Sequence, residues 1–133
     1  MFNYTKVSRL ISTGANPGLK FIGVISRNGT MSEDQLIERI AAASSLAEGD
    51  VLSCLRQMQL EIASATLNGI TVQLNQLGSF IPYLKAYAMD DIDAVDASSI
   101  KRVKVNFYPN VRFKNKLKNA KFEYRNPAPK GLQ

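Results

Sequence analysis

At 133 residues the chain has the length of one ordinary domain, and with 45% hydrophobic residues it can build a core. Its formal net charge of +6 and pI near 9.6 suit a polyanionic partner, although composition speaks to partners and not to fold. There is no histidine, no tryptophan and a single cysteine, Cys54; this excludes an internal disulfide, most zinc sites and any Ser-His or Cys-His nucleophile pair, and it fits a reducing compartment.

The first residues, M-F-N-Y-T-K-V-S-R-L, lack the continuous apolar stretch of a secretion signal, and no window approaches the 18 or so apolar residues of a membrane span. A soluble intracellular protein is expected, with no membrane partner. Residues 4–12 and 19–26 read as two strands, and Asn16, Pro17 and Gly18 between them signal the turn of a hairpin.

Two helices follow. Ser32 and Gln35 have capping-box spacing, and Leu36, Ile37, Ile40 and Ala41 then fall on one helical face. After a break at 45–47, a longer helix is predicted over 48–67. Its stripe is Val51, Leu52, Leu55, Met58, Ile62 and Ala65, its first turn holds Glu48 and Asp50, and Asn68 and Gly69 stop it. Cys54 lies beside this stripe and is expected to pack as a small apolar residue.

Residues 70–76 and 78–87 are strand candidates, with Pro82 marking an edge position or a bulge. In V-Q-L-N-Q-L-G-S-F, at 72–80, alternation holds at Val72 and Leu74 and slips before Phe80. A tight turn there has Gly78 permitting it and Leu77 and Phe80 returning to the core. Residues 88–99 read as a loop or short helical turn. Residues 100–108 alternate cleanly, with Val103, Val105 and Phe107 on one face and Arg102, Lys104 and Asn106 on the other. A short basic helix over 110–118, a last strand over 121–124 and a mobile tail from 126 complete the chain. No internal repeat is present.

Charge is segregated along this order. Residues 1–30 carry +4, 31–68 carry −4, 69–85 carry +1, 86–100 carry −4 and 101–133 carry +9.

The sequence of helix pair, strand turn, return strand and basic C-terminal segment resembles the HU/IHF family of bacterial nucleoid DNA-binding proteins. Val72, Leu74, Leu77, Gly78 and Phe80 match its V-x-L-x-x-F-G-x-F strand, and V-N-F-Y-P at 105–109 stands where the family has an A-F-K-P-like stretch before a lysine-bearing helix. The resemblance covers about residues 31–118, and the N-terminal hairpin is similar to that of HU-like proteins of Bacteroidetes. It implies an α+β, HU/IHF-like fold: a helix pair plus an antiparallel β-sheet with a β-arm, in an intertwined homodimer. The domain plan is a hairpin extension at 1–30 packed on the same domain, an HU-like domain at 31–125 and a flexible tail at 126–133.

The function implied is non-sequence-specific binding of double-stranded DNA by an architectural, nucleoid-associated protein of the cytoplasm, active in DNA condensation. The candidate DNA-binding residues are Lys85, Lys101, Arg102, Lys104, Arg112, Lys114, Lys116 and Lys118. Family arms are basic and carry an R-N-P-like tip; here residues 87–99 hold four aspartates with no base or proline, which phosphates repel. The R-N-P triplet at Arg125, Asn126 and Pro127 stands in the tail and is read as coincidence. Asp90, Asp91, Asp93 and Asp96 partly imitate a cation loop but lack its glycine and closing glutamate, so no metal site is assigned. No catalytic constellation, cofactor or small-molecule substrate is expected. The alternative is a protein-interaction or structural module with the same fold that has lost DNA wrapping.

Overall fold

The computed structural model describes residues 1–126. Local signals place nearly every element: β1 (Phe2–Ile11), β2 (Gly18–Ile25), α1 (Glu33–Ala42), α2 (Glu48–Leu67), β3 (Val72–Leu74), β4 (Gly78–Ala86), β5 (Ile100–Pro109), α3 (Val111–Leu117) and β6 (Phe122–Tyr124). The chain is a mixed α+β fold with two three-stranded sheets, and it divides into two compact units. One comprises Met1–Met31 and the segment from Leu117 on; the other is Ser32–Lys116.

In the hairpin unit the sheet order is β2-β1-β6. β1 and β2 are antiparallel in a register that pairs Tyr4 with Ile25 and Ile11 with Gly18. β6 lies parallel to the start of β1, with Phe2, Asn3 and Tyr4 opposite Phe122, Glu123 and Tyr124. Aromatic pairs fasten this short strand: Phe2–Phe122 at 5.7 Å between ring centroids and Tyr4–Tyr124 at 5.8 Å, each worth about 1 kcal/mol beyond its buried area. The expected tail at 126–133 lies, apart from Asn126, outside the described residues.

In the helix–sheet unit, α1 opens with the expected capping box. The Gln35 N–H donates to Ser32 Oγ at 3.2 Å, and the Ser32 N–H donates to Gln35 Oε1 at 3.0 Å. α2 has half of such a box, because Ala47 has no side-chain acceptor; its N–H donates to Asp50 Oδ2 at 3.3 Å. Gly69, with φ of +75°, ends α2 in the left-handed region. Arg56 on α2 reaches Glu33 on α1 at 3.3 Å, an exposed pair worth well under about 1 kcal/mol. Ile37 and Val51 are the buried hydrophobic residues of the helix pair, and Leu55, Ile62 and Ala65 are half-buried. Two expectations for this unit fail. Cys54 is exposed, because its position on α2 falls beside the covered stripe and not on it. Leu77 is also exposed, because it occupies the turn between β3 and β4; only Phe80 returns to partial burial.

β3-β4-β5 form the second sheet, fully antiparallel. β3 covers only Gly78 to Phe80 of β4, so Pro82 stands where β4 has a single neighbour and its missing donor costs no ladder bond. The irregularity in the ladder falls between Lys85 and Ala86 rather than at Pro82. Among the described residues, no helix is long and apolar enough to cross a membrane.

Candidate nucleic-acid interface

Opposed residues of an antiparallel pair point to the same face of the sheet. The β4–β5 register pairs Phe80 with Phe107, Pro82 with Val105 and Leu84 with Val103, and so builds one apolar face. The Phe80 and Phe107 rings stand 5.1 Å apart on it. The same register pairs Ser79 with Tyr108, Ile81 with Asn106, Tyr83 with Lys104 and Lys85 with Arg102, and so builds the opposite face. Lys85, Arg102 and Lys104 are therefore brought together, with Tyr83 opposite Lys104. Tyr108 lies on the same face farther along β5, where Asn106 Nδ2 donates to its Oη at 3.2 Å. The tyrosines were missed in the sequence; the signal that finds them is alternation along β4 combined with the register. Lys85, Arg102, Tyr83 and Tyr108 are exposed on this face and Lys104 and Asn106 half-buried; cations, phenols and an amide so placed can bind phosphate oxygens and sugar edges, and contacts of that kind carry no base information.

Lys101 does not join this row. Lys85 pairs with Arg102 while Ala86 pairs with Ile100, which leaves Lys101 as the extra residue of the irregularity. Its Nζ lies 4.4 Å from the centre of the Tyr87 ring, a cation–π contact at the mouth of the 87–99 connector. Arg112, Lys114 and Lys116 lie on or at α3, a true helix, so their every-second-residue spacing spreads them around its surface. Arg112 and Lys116, four apart, share a side. Lys118 belongs to the hairpin unit. Asn110 caps α3, accepting from the Phe113 N–H at 2.9 Å, while its Nδ2 donates to the Asn75 carbonyl at 2.8 Å. This one side chain thus ties the basic helix to the β3–β4 turn.

Two of the four aspartates also acquire a local explanation. Asp91 caps one 3-10 turn, Ile92–Ala94, and Asp96 caps a second, Ala97–Ser99. Asp96 Oδ1 accepts from the Ser98 hydroxyl and, at 2.9 Å, from the Ser98 N–H. Those two bonds hold its carboxyl below the ordinary value of 3.8. Among the described residues, no group of three or more His, Cys, Asp or Glu side chains is arranged to hold a metal ion.

The other sheet face is less covered than a core requires. Leu84 is 55% exposed, Val103 56%, Val105 46% and Phe107 42%. The C-terminal end of α2 reaches only to the margin of this patch, where Thr66, Leu67, Pro82, Leu84 and Val103 line an open cleft.

A helix pair under a sheet with one apolar and one basic face defines an HU-like domain. A family model described as an HU domain fused to a wHTH, Ig or glycine-rich motif matches residues 3–124, from the hairpin through β6, and the chain belongs to this HU-like family. Among solved structures, one of a candidate bacterial DNA-binding protein from Bacteroides vulgatus ATCC 8482 shares the fold, with a TM-score of 0.69 at 14% identity. That likeness extends over 96% of this chain and 50% of the other, so the chain spans about half the length of that protein. No curated protein matches.

Proposed function

We propose that this protein binds double-stranded DNA with little sequence preference, as a homodimeric architectural protein of the bacterial nucleoid. The observation that carries the reading is the convergence of the exposed Lys85 and Arg102 and the half-buried Lys104 on one sheet face, with Tyr83 opposite Lys104. Arg112, Lys114, Lys116 and Lys101 are further DNA-contacting cations of the same unit in this reading, and Lys118 is one of the hairpin unit. The neighbour's description as a candidate DNA-binding protein supports the same ligand, and a cytoplasmic location follows from it. The role is binding, with no reaction assigned.

Dimerisation is proposed on separate grounds. Each half-exposed apolar side chain among Leu84, Val103, Val105 and Phe107 that a second copy covers contributes about 1 kcal/mol. An intertwined pair of subunits with a shared core satisfies that face.

The acidic connector favours a second reading. Residues 87–99 carry four aspartates, and a protein-interaction module that kept the fold without wrapping DNA would tolerate them. An electrophoretic shift assay across a salt series decides between the two. The DNA reading expects the logarithm of the affinity to fall linearly with log salt, with a slope of about 0.9 per phosphate neutralised, and Lys85→Ala, Arg102→Ala and Lys104→Ala together to reduce that slope by about 2 to 3. Absence of binding to any duplex at low salt favours the interaction module.

A further inference from the structure

The two units share the charge of the chain very unequally. The helix–sheet unit, Ser32–Lys116, carries nine bases against ten acids and is close to neutral. The hairpin unit carries seven bases against Glu123 alone over its described residues. The basic excess of the described residues therefore resides in the hairpin unit and not in the helix–sheet unit.

Within the hairpin, the register sets Arg9 directly opposite Lys20, and both are exposed. Opposed residues hold their Cβ atoms about 5 Å apart, and like charges in that position destabilise the strand pair. Among the described residues, no acidic side chain forms an ion pair with either. Glu123 pairs with Asn3, six residues along β1 from Arg9 and so about 20 Å away. Among the described residues, the one ion pair is Arg56–Glu33, in the other unit. β6 covers only Phe2 to Tyr4 of β1, so from Thr5 outward the hairpin is a two-stranded ribbon. A ribbon of that kind is what the DNA major groove, about 12 Å wide, admits.

We propose that the hairpin is a second DNA-contacting element, in which Arg9 and Lys20 hold backbone phosphates of the duplex. The anion removes a repulsion that the fold leaves uncompensated, and duplex DNA supplies anions at about one per 1.7 Å of axis. The proposal rests on the functional reading above for its ligand but assigns a different part of the molecule.

The test measures the salt dependence of binding of the whole chain to a mixed-sequence duplex. It compares the wild type with Arg9→Ala/Lys20→Ala, with Arg9→Lys and with Lys85→Ala/Arg102→Ala/Lys104→Ala. The hairpin double variant is expected to reduce the slope by about 2, Arg9→Lys is expected to keep it, and the double variant is expected to melt no lower than the wild type because it removes a repulsion. An unchanged slope in the double variant beside a reduced slope in the triple variant overturns the hairpin proposal and leaves the sheet-face reading standing. The reverse pattern overturns the sheet face and leaves the hairpin. No binding by the wild type overturns both. Loss of polyglutamate binding in the double variant with its DNA slope unchanged makes the partner an acidic protein and overturns the proposal. Should the double variant fail to fold, Arg9→Gln is read in its place by the same criteria.

Discussion

Gly78 at the start of β4 and Tyr108 near the end of β5 approach so closely that a β-carbon on Gly78 would overlap the Tyr108 carbonyl oxygen and lie 2.9 Å from Pro109 Cα. The obstruction is backbone, which cannot swing aside as a side chain could. Gly78→Ala therefore has to displace β5 from β4 at the point where the chain turns into α3. The expected cost is about 2 kcal/mol or more, seen as a drop of roughly 8 °C or more in thermal midpoint by circular dichroism. A variant melting with the wild type would show that β5 moves aside freely.

The exposed apolar sheet face makes a separable prediction. Val105 is 46% exposed in one copy of the chain, so Val105→Asp should cost little to the isolated subunit and much to an assembly that covers it. Sedimentation at micromolar concentration is expected to find dimers of the wild type and monomers of the variant. Dimers persisting in the variant would move the interface off this face.

Asn110 joins three places by its side chain: the Phe113 N–H, the Asn75 carbonyl and, at 3.5 Å, the Leu74 carbonyl. Asn110→Ala leaves the first turn of α3 uncapped and the β3–β4 turn untied. A loss of about 1 to 2 kcal/mol in chemical denaturation is expected. Because α3 holds Arg112 and Lys116, DNA affinity should weaken in the same variant; full affinity would show that α3 is not part of the surface.

Asp96 provides a pH signature. Ser98 bonds its carboxylate and lowers its value below the ordinary 3.8. A group lowered in the native state contributes stability above its unfolded value, and that contribution is lost as pH falls from about 3.8 through the lower native value. A side-chain carboxyl titration by NMR should place the Asp96 midpoint below 3.8, and Ser98→Ala should move it back up. An Asp96 midpoint insensitive to Ser98→Ala would remove the hydrogen bonds as the cause.

Ser32→Ala tests the two-way cap at the start of α1. Loss of the Ser32 Oγ acceptor from the Gln35 N–H is expected to cost about 1 kcal/mol, and Gln35→Ala should cost less, since it removes only the returning bond. Equal or larger losses in Gln35→Ala would assign the stability to another contact of that side chain.

What the sequence determined by itself is local. A helical apolar period, a capping pair, a glycine stop and strand alternation act within a few residues of each other, so α1, α2, β5 and α3 are legible at nearly their observed bounds. The HU-like resemblance is legible for the same reason, because it rests on the order of such locally coded elements over about residues 31–118. Tertiary structure decided everything that depends on which strand meets which. The parallel pairing of Phe122–Tyr124 with the start of β1 joins residues about 120 positions apart and has no local signal. The β4–β5 register placed Lys85 beside Arg102 and Lys104, set Tyr83 opposite Lys104, and put Lys101 out of the row. The β1–β2 register set Arg9 against Lys20 in the hairpin. A shift of one residue in either register would turn each side chain to the opposite face, so the chemistry of both basic surfaces is a property of strand pairing that no single segment encodes.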